Sequence, residues 1–405
     1  MNVLMISPGF PDEMPNFTRA LAEVGANVLG VGDQPIGAME DSVRAALSDY
    51  LRVDSLWKEE SVVEQVREWL AGRQLDRVEC LWEPGVTLAA RLREAFGLDG
   101  ITVEQSHAFR DKERMKQVLD AAGVRTPKHA RGQTQDECRA AAEEIGYPLI
   151  IKPIDGAGSA DTYPLQDSND LEDALARMGH VKEVSVEEYI EGEEFTFDTV
   201  CGDGKILFEN VAQYRPKPLV ARMNPWVSGQ AICIRDLEQE HIVKGRNLGY
   251  QVIEALGFRS GFSHMEWFYT PSGEAVFGEI GARSPGGRLV HVMNYTCDIN
   301  LFVGWAEAVC YGRLSQETSR KFNAGIVFKR AQGKGQITEY RGLDRLMSSY
   351  GEQVVALELN PIGSPMRDWR QVVSGDGWIV VRHPDLQTTM EIADRFGSEL
   401  DIIAG

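Results

Sequence analysis

The chain has 405 residues, 43% of them hydrophobic, and a formal net charge of −19 at pH 7. This length predicts two or three domains, with enough apolar residues for full cores. Such an acidic chain lacks the basic face that neutralises phosphates, which argues against DNA, RNA or an anionic membrane surface as a partner. No apolar run approaches the ~18 residues of a membrane span.

The six cysteines are scattered along the chain without a CxxC pair. This spacing indicates neither a zinc site nor a disulfide framework. The first residues, MNVLMISPGF, lack a basic flank and a long apolar run, so they predict a first β-strand and not a signal peptide. We therefore expect a cytoplasmic protein with reduced thiols.

Strands and helices alternate over residues 1–105, which predicts an open α/β domain. Apolar strands at 2–6 and 27–31 flank a helical stretch at 16–24. The turn Ser7-Pro8-Gly9 after the first strand lies where such folds bind ligands, but it does not match a GxGxxG fingerprint. A nicotinamide cofactor is therefore not expected.

Two lysines occur in contexts that favour phosphate binding. Lys112 lies on a predicted helix at 109–123, and Lys152 ends a predicted strand at 149–153. The loop after that strand contains Gly156, Gly158 and Ser159, whose small side chains let backbone N–H groups approach phosphate oxygens. The alternative interpretation is an ordinary glycine turn beside a surface lysine.

Six acidic residues fall between Glu187 and Asp198. They form either a solvated face or the acceptors for the amino and hydroxyl groups of a nucleotide. The next segment, residues 211–229, carries Arg215 among several prolines, which predicts a long connection over the site.

Residues 261–288 predict a β-hairpin followed by an anion-binding turn. Strands at 262–269 and 275–280 flank turn residues 271–274. If those four residues form the loop, Glu266 lies directly opposite Glu279, with Cβ atoms roughly 5 Å apart. Two carboxylates so close repel unless a proton or a cation sits between them, and a hard divalent cation would resolve the conflict. The alternative is a solvated face.

Two arginines follow the second glutamate of this hairpin. Arg283 comes four residues after Glu279, and Arg288 follows a Pro-Gly-Gly turn. Arginine matches phosphate and carboxylate groups in two hydrogen bonds, so this order indicates a site for anions. From residue 322 onwards strands and helices alternate again, which predicts a smaller α+β domain.

The order of these motifs resembles the ATP-grasp superfamily of ADP-forming ligases. The resemblance covers residues 105–312 in motif detail, and the flanking segments fit the three-part plan of its biotin-carboxylase-like members. It implies a mixed α/β and α+β fold. The expected parts are an N-terminal pre-ATP-grasp domain (1–105), an ATP-grasp domain (106–313) with a lid at about 126–186, and a C-terminal α+β domain (314–405).

The resemblance also implies roles for the nucleotide-binding residues. Lys112 and Lys152 would hold the ATP phosphates, and the loop of Gly156, Gly158 and Ser159 would cover them. The expected adenosine contacts are Glu187 for the adenine amino group, Tyr189 and Ile190 for the adenine pocket, and Glu194 for the ribose hydroxyls.

At the reacting end, the resemblance implies that Glu266 and Glu279 bind Mg²⁺, with Mn²⁺ as a substitute. Many members carry asparagine two residues after the second glutamate, where this chain has Gly281. The implied metal site therefore relies more on phosphate and water oxygens. Arg283 would stabilise the transferring phosphoryl group. The residues left to hold substrate are His264, His291, Arg288 and the loop from Arg215 to Arg222.

The activity that this resemblance implies is an ATP-dependent ligase, which activates a carboxylate as an acyl phosphate and couples it to an amine, most simply two amino acids. The expected partners are these small molecules, with a homodimer as the assembly to test. Three alternatives stay open: a biotin-carboxylase-like enzyme, a purine-biosynthesis ligase, and an ATP-binding regulatory protein without catalysis.

Overall fold

Four sheets organise the computed structural model, which describes residues 1–155, 161–369, 372 and 374–405. Helices pack on these sheets, so the structure is mixed α/β, as the sequence predicts. Within the described ranges, no helix is both long and apolar enough to cross a bilayer.

The N-terminal sheet is parallel. Its strands are β1 (Asn2–Ile6), β2 (Asn27–Gly32), β3 (Leu47–Arg52) and β4 (Arg77–Glu79), in the order β3-β2-β1-β4. The helices between and after them are α1 (Met14–Glu23), α2 (Asp41–Ala46), α3 (Glu59–Leu70) and α4 (Val86–Phe96). Since the strands are parallel, their carboxyl ends share one edge, where open α/β sheets bind ligands.

The second sheet is a small antiparallel layer with helices beside it. Its elements are α5 (Val103–Ala108), α6 (Lys112–Ala121), β5 (His129–Gly132), α7 (Gln135–Ile145), β6 (Leu149–Pro153), β7 (Tyr163–Leu165), α8 (Ser168–Arg177) and β8 (Val184–Glu188), with strand order β5-β8-β6-β7. The Asp111 carboxylate caps α6 by accepting hydrogen bonds from two backbone N–H groups of its first turn. This cap fixes Lys112 as the first residue of the helix.

An eight-stranded sheet forms the centre of the molecule. Its first part comprises β9 (Glu193–Gly202), β10 (Lys205–Arg215), α9 (Pro218–Met223), β11 (Gln230–Cys233), α10 (Glu240–Ala255), β12 (Gly261–Tyr269), β13 (Ala275–Gly281), α11 (Leu289–Cys297) and α12 (Leu301–Tyr311). The rest of the chain adds β14 (Asn323–Lys329), β15 (Ala331–Gly333), β16 (Ile337–Arg341), α13 (Leu343–Tyr350), β17 (Val354–Leu359), β18 (Gly377–His383), α14 (Leu386–Glu399) and β19 (Asp401–Ala404).

The central sheet has the order β13-β12-β9-β10-β11-β14-β18-β17, and β15, β19 and β16 form a separate small sheet. Strand β14 pairs with β11, so the sheet runs without interruption across the domain boundary that the sequence predicts at residue 313. The segment expected as a long connection contains the end of β10, the short helix α9 and the approach to β11. Its backbone is therefore more regular than its prolines suggest.

Helix α10 packs closely on one face of the central sheet because two of its residues are glycines. A Cβ atom on Gly245 would lie 2.0 Å from the Trp267 ring, and one on Gly249 would lie 2.2 Å from the Phe197 ring. Both distances are too short for any side chain, so these positions exclude alanine. The aromatic rings fill the space that the glycines leave.

The N-terminal sheet is joined to the central sheet by a shared apolar core. Phe17 of α1 packs edge-on against Trp305 at 5.1 Å and Phe302 at 4.9 Å, both on α12, and against Phe262 of β12 at 6.4 Å. Phe17, Phe262 and Trp305 are almost fully buried. This packing fixes the carboxyl edge of the N-terminal sheet relative to the hairpin of β12 and β13.

Candidate active site

Glu266 and Glu279 face each other across the hairpin, as the sequence predicts. The predicted loop length was nevertheless wrong, because Tyr269 pairs with Ala275 and the loop has one more residue. A bulge between Glu266 and Trp267 absorbs this difference and leaves Gly278 as the extra residue. A Cβ atom on Gly278 would lie 2.8 Å from the Glu266 carbonyl oxygen, so glycine is required at this close approach.

Two lysines place positive charge beside this carboxylate pair. Lys112 Nζ lies 3.4 Å from Glu279 Oε2, and the lysine side chain is buried. Burial alone would raise the pKa of Glu279, but the ammonium groups of Lys112 and Lys152 outweigh it and lower this pKa to about 2. Glu279 is therefore ionised at neutral pH and available to a cation.

The Glu187 carboxylate forms ion pairs with two lysines and is almost completely buried. Its Oε1 lies 2.8 Å from Lys116 Nζ, its Oε2 lies 3.0 Å from Lys152 Nζ, and Ser185 donates to Oε1 at 2.7 Å. The side chain is 3% exposed. Both oxygens of this carboxylate thus have donors in this structure, and its predicted contact with an adenine amino group stays a prediction.

A chain of polar side chains leads from the sheet interior to Glu266. Asp198 is fully buried and accepts hydrogen bonds from His264 Nδ1 at 2.6 Å, Thr196 at 2.7 Å and Asn210 at 3.0 Å. His264 Nε2 lies 3.6 Å from Glu266 Oε1. Burial opposes protonation of the ring, but the hydrogen bond to Asp198 and the nearby Glu266 carboxylate raise the pKa of His264 to about 9. His264 therefore carries positive charge next to Glu266.

Arg283 is directed by a glutamate of the N-terminal segment. Its Nε donates to Glu83 Oε2 at 2.6 Å, and Glu83 Oε1 accepts from Arg110 at 3.0 Å. Burial lowers the pKa of Arg283, but Glu83, with smaller contributions from Glu266 and Glu279, outweighs burial and raises it. Arg283 thus lies between the carboxylate pair and the carboxyl edge of the N-terminal sheet.

Arg288 lies five residues after Arg283 and directly precedes α11. Its backbone is in the left-handed region at φ 58°, an unfavourable conformation for a residue with a Cβ atom. The guanidinium carbon lies 4.6 Å from the centre of the Trp378 ring, and Nη2 lies 3.4 Å from Glu358 Oε2. The side chain is 31% exposed, so a ligand can reach it.

Arg215 pairs with a residue of α14 in this structure, and its predicted contact with substrate stays a prediction. Its two terminal nitrogens lie 3.2 and 3.3 Å from the carboxylate of Asp394 on α14. Tyr214, the preceding residue of β10, donates to Glu266 Oε1 at 3.3 Å. Because neighbouring residues of a strand point to opposite faces, Arg215 is directed away from Glu266.

The predicted adenosine contacts lie around the segment that joins β8 to β9. Ile190 is buried, and the Lys217 ammonium group lies 5.4 Å from the centre of the Tyr189 ring. Burial raises the pKa of Glu194 to about 8, with the Glu266 charge adding to this rise. Glu194 is thus protonated over much of the neutral range and can both donate to and accept from hydroxyl groups.

Gly156, Gly158 and Ser159, the predicted phosphate loop, lie outside the described residues. Within the described part of the chain, no three His, Cys, Asp or Glu side chains are placed to hold a metal ion together. Two ionisable carboxylates on facing strands still fit Mg²⁺, which takes one or two protein carboxylates and completes its shell with phosphate and water oxygens. The donor set thus suits a metal–nucleotide complex and not a metal held by protein alone.

Four residues of this site were missed or left without a role by sequence reasoning. Lys116 could have been found, because its spacing of four from Lys112 places both on one helix face. Glu83 lies four residues beyond Glu79, the last residue of β4, and so near the carboxyl end of that strand, which was a further signal. Nothing in the sequence singles out Asp198 among its acidic neighbours or Tyr214 in its strand, because their partners come from other strands.

Comparison with known proteins gives a family for the middle of the chain. Residues 109–244 match the model of the ATP-grasp domain. The L-arginine-specific L-amino acid ligase of Bacillus subtilis is 30% identical over 236 residues, which are 56% of this chain and 56% of that protein. The alanine–anticapsin ligase of Bacillus subtilis strain 168 is 24% identical over 301 residues, 66% of this chain and 62% of its own length. The chain thus spans little more than half of these relatives.

A solved structure covers the whole chain. The L-amino acid ligase of Bacillus licheniformis superposes with a TM-score of 0.79 at 20% identity, over 100% of this chain and 98% of that one. At this identity the superposition establishes a shared fold. The resemblance that the motifs suggested is thereby confirmed for the domain and for the fold.

Proposed function

We propose that this chain, which belongs to the ATP-grasp superfamily through the ATP-grasp domain at residues 109–244, is an ADP-forming ligase that joins two amino acids. The observation that carries the proposal is the pair Glu266–Glu279 on facing strands, bordered by Lys112 and Arg283. A carboxylate pair surrounded by cations is the arrangement that a metal-bound triphosphate needs. The relatives are amino acid ligases, which supports the choice of substrate class.

The proposed reaction has two steps. A carboxylate oxygen of the first amino acid attacks the γ-phosphorus of ATP, the bond from this phosphorus to the β,γ-bridging oxygen breaks, and ADP leaves with the electron pair. The amine nitrogen of the second amino acid then attacks the carbonyl carbon of the acyl phosphate. Phosphate leaves with the C–O electron pair, and the nitrogen gives up one proton to the leaving phosphate or to water. The protein contributes positioning and charge neutralisation.

Lysine, arginine and glutamate side chains of this chain can position the triphosphate and neutralise its charge. Lys112 and Lys152 are held by Glu279 and Glu187, so their ammonium groups are oriented before a triphosphate arrives. Arg283, directed by Glu83, can neutralise charge on the transferring phosphoryl group. Glu266 and Glu279 would hold Mg²⁺, which supplies Lewis-acid neutralisation of the phosphate oxygens when bound.

We assign the adenine base and the ribose to the segment that joins β8 to β9. Ile190 offers a buried apolar surface and Tyr189 an aromatic ring for adenine. Glu194 can donate to and accept from the ribose hydroxyls in its protonated form. A cytoplasmic location remains a prediction, and it agrees with the six cysteines, all in the described part of the chain and all free and buried.

The test is ADP release measured over amino acids offered singly and in pairs, with Mg²⁺ present. We expect turnover that requires two amino acids, and Glu279→Gln should reduce kcat by about 100-fold or more because Mg²⁺ would lose a carboxylate ligand. The matched control is Glu274→Gln, in the exposed turn of the same hairpin, which should keep wild-type turnover. ADP release with bicarbonate alone, or none with any pair, would contradict the proposal.

A further inference from the structure

Three aromatic side chains gather at the carboxyl edge of the N-terminal sheet. Phe10 follows β1, Trp57 follows β3 and Trp82 follows β4. The Trp82 ring lies 5.6 Å from Trp57 and 6.4 Å from Phe10, with both pairs in edge-on geometry. Phe10 is 54% exposed and Trp57 is 68% exposed, so the outer members of this cluster are open to a ligand. Large apolar side chains left exposed together mark a binding surface more often than single ones do.

This aromatic cluster is continuous with the reacting end of the site. Trp82 is followed directly by Glu83, and Glu83 accepts from Arg283 at 2.6 Å. Arg283 in turn lies within electrostatic reach of Glu266 and Glu279. A path of contiguous residues thus leads from the carboxylate pair to the aromatic cluster. A substrate with its reacting carboxylate near Arg283 can extend its side chain along this path.

Glu13 lies on the same loop as Phe10 and has an unsatisfied oxygen. Its Oε1 is buried and has no hydrogen-bond partner among the described residues. Burial raises the pKa of Glu13 to about 7, although the Arg288 and Arg283 charges oppose this rise. A buried carboxylate oxygen without a donor costs free energy, and a ligand that supplies an N–H donor would recover it. An ammonium group is the donor that also neutralises the charge.

We propose that the loop after β1 forms the subsite for the carboxylate-donating amino acid, in which Glu13 binds its ammonium group and Phe10, Trp57 and Trp82 contact a large apolar side chain. This assignment rests on the ligase function proposed above. An amine held as ammonium by a carboxylate has no free electron pair, so this amino acid cannot be the nucleophile. It supplies the carboxylate, and its residue becomes the N-terminal one of the dipeptide.

The decisive measurement is calorimetric binding to the full chain, with and without a non-hydrolysable ATP analogue and Mg²⁺. The ligands are L-phenylalanine, L-alanine and 3-phenylpropanoate, which keeps the ring and the carboxylate but lacks the amine. Glu13→Gln should weaken L-phenylalanine binding about 10- to 100-fold, the range for losing a charged hydrogen bond. The same variant should change 3-phenylpropanoate binding by less than about twofold, since that ligand cannot make the contact.

The aromatic half of the subsite is tested by Trp57→Ala, whose exposed side chain makes unfolding an improbable cause of any effect. We expect about tenfold weaker binding of L-phenylalanine and a change of less than about threefold for L-alanine, because only the larger side chain reaches the rings. The control is Ile362→Ala, an apolar residue 61% exposed in the C-terminal part, which should bind both like wild type.

These outcomes separate the subsite from the overall function. Equal losses for L-phenylalanine and 3-phenylpropanoate in Glu13→Gln would overturn the ammonium contact, and unchanged selectivity in Trp57→Ala would overturn the apolar contact. A dipeptide with phenylalanine only at its C-terminus would overturn the donor assignment. If no amino-acid pair releases ADP while the calorimetric pattern appears, the ligase function fails and the subsite stands.

Discussion

Lys116 donates a hydrogen bond to Glu187 at 2.8 Å, and both side chains are almost completely buried. Burial favours the neutral carboxyl, but Lys116 and Lys152 hold the pKa of Glu187 well below its usual range. The helix α6 and the strand β8 are therefore joined by a buried ion pair. Lys152 gains a fixed position from the same carboxylate.

Removing this carboxylate should destabilise the protein strongly. Glu187→Gln leaves the buried Lys116 ammonium without its ion-pair partner and removes one of the carboxylates near Lys152, so we expect a loss of about 3 kcal/mol in the free energy of unfolding. Chemical denaturation at pH 7 measures it. Glu172→Gln, which breaks an exposed ion pair with Arg139, is the control and should change little. Equal small effects of the two substitutions would show that the buried pair is dispensable.

His129 should make stability depend on pH. Its ring nitrogens each lie 2.9 Å from a carboxylate oxygen, of Glu113 and of Asp120. Burial lowers the pKa of His129, but these hydrogen bonds outweigh burial and raise it. Because the pKa is higher in the folded state, protonated His129 stabilises the fold. This contribution is fully present below the unfolded pKa of about 6.5 and is lost as pH rises through the folded pKa.

The corresponding test compares His129→Gln with wild type at pH 6 and at pH 9. The substitution should cost more unfolding free energy at pH 6, where the wild-type imidazolium is present in both states. Asp120→Asn, which removes one of the two carboxylates, should reduce the difference between the two pH values. A larger cost at pH 9 would have the wrong sign and would contradict the assigned shift.

Gly278 should be needed for the position of Glu266. An alanine Cβ would lie 2.8 Å from the Glu266 carbonyl oxygen, so Gly278→Ala must displace that strand. We expect a loss of about 1–3 kcal/mol in stability, as for other overpacked sites. The Mg²⁺ concentration needed for half-maximal activity should rise as well. Gly37→Ala, where a Cβ meets no atom within 4 Å, is the matched control. Wild-type Mg²⁺ dependence in Gly278→Ala would rule out this role for the bulge.

Arg288 should bind the carboxylate of the second amino acid. Lysine keeps the charge but loses the planar fork, so Arg288→Lys should raise the KM for that amino acid about 10- to 100-fold. The KM for ATP should hardly change. Arg215→Lys, whose guanidinium pairs with Asp394 away from the hairpin, should behave like wild type. Equal losses for ATP and amino acid would instead place Arg288 at the phosphates.

The sequence by itself determined the alternation of strands and helices, the ATP-grasp resemblance and the facing pair Glu266–Glu279. These depend on local patterns: apolar periodicity, turn residues and a spacing that fits one hairpin. The pairing was right although its assumed loop was one residue too short, because the bulge at Gly278 restored the register. Counting the residues between the two glutamates cannot reveal such a compensation.

Only the tertiary structure decided which charged side chains meet. Glu187 turned out to bind two lysines, Arg215 to pair with α14, and Glu83 to direct Arg283 across 200 residues of chain. The physical reason is that the partner of a charged group is set by burial and by which strand faces point together. Neither burial nor the pairing of strand faces can be determined from neighbouring residues in the sequence. The sequence therefore predicted the kind of chemistry. The packing of the N-terminal, second and central sheets determined which residues can perform it.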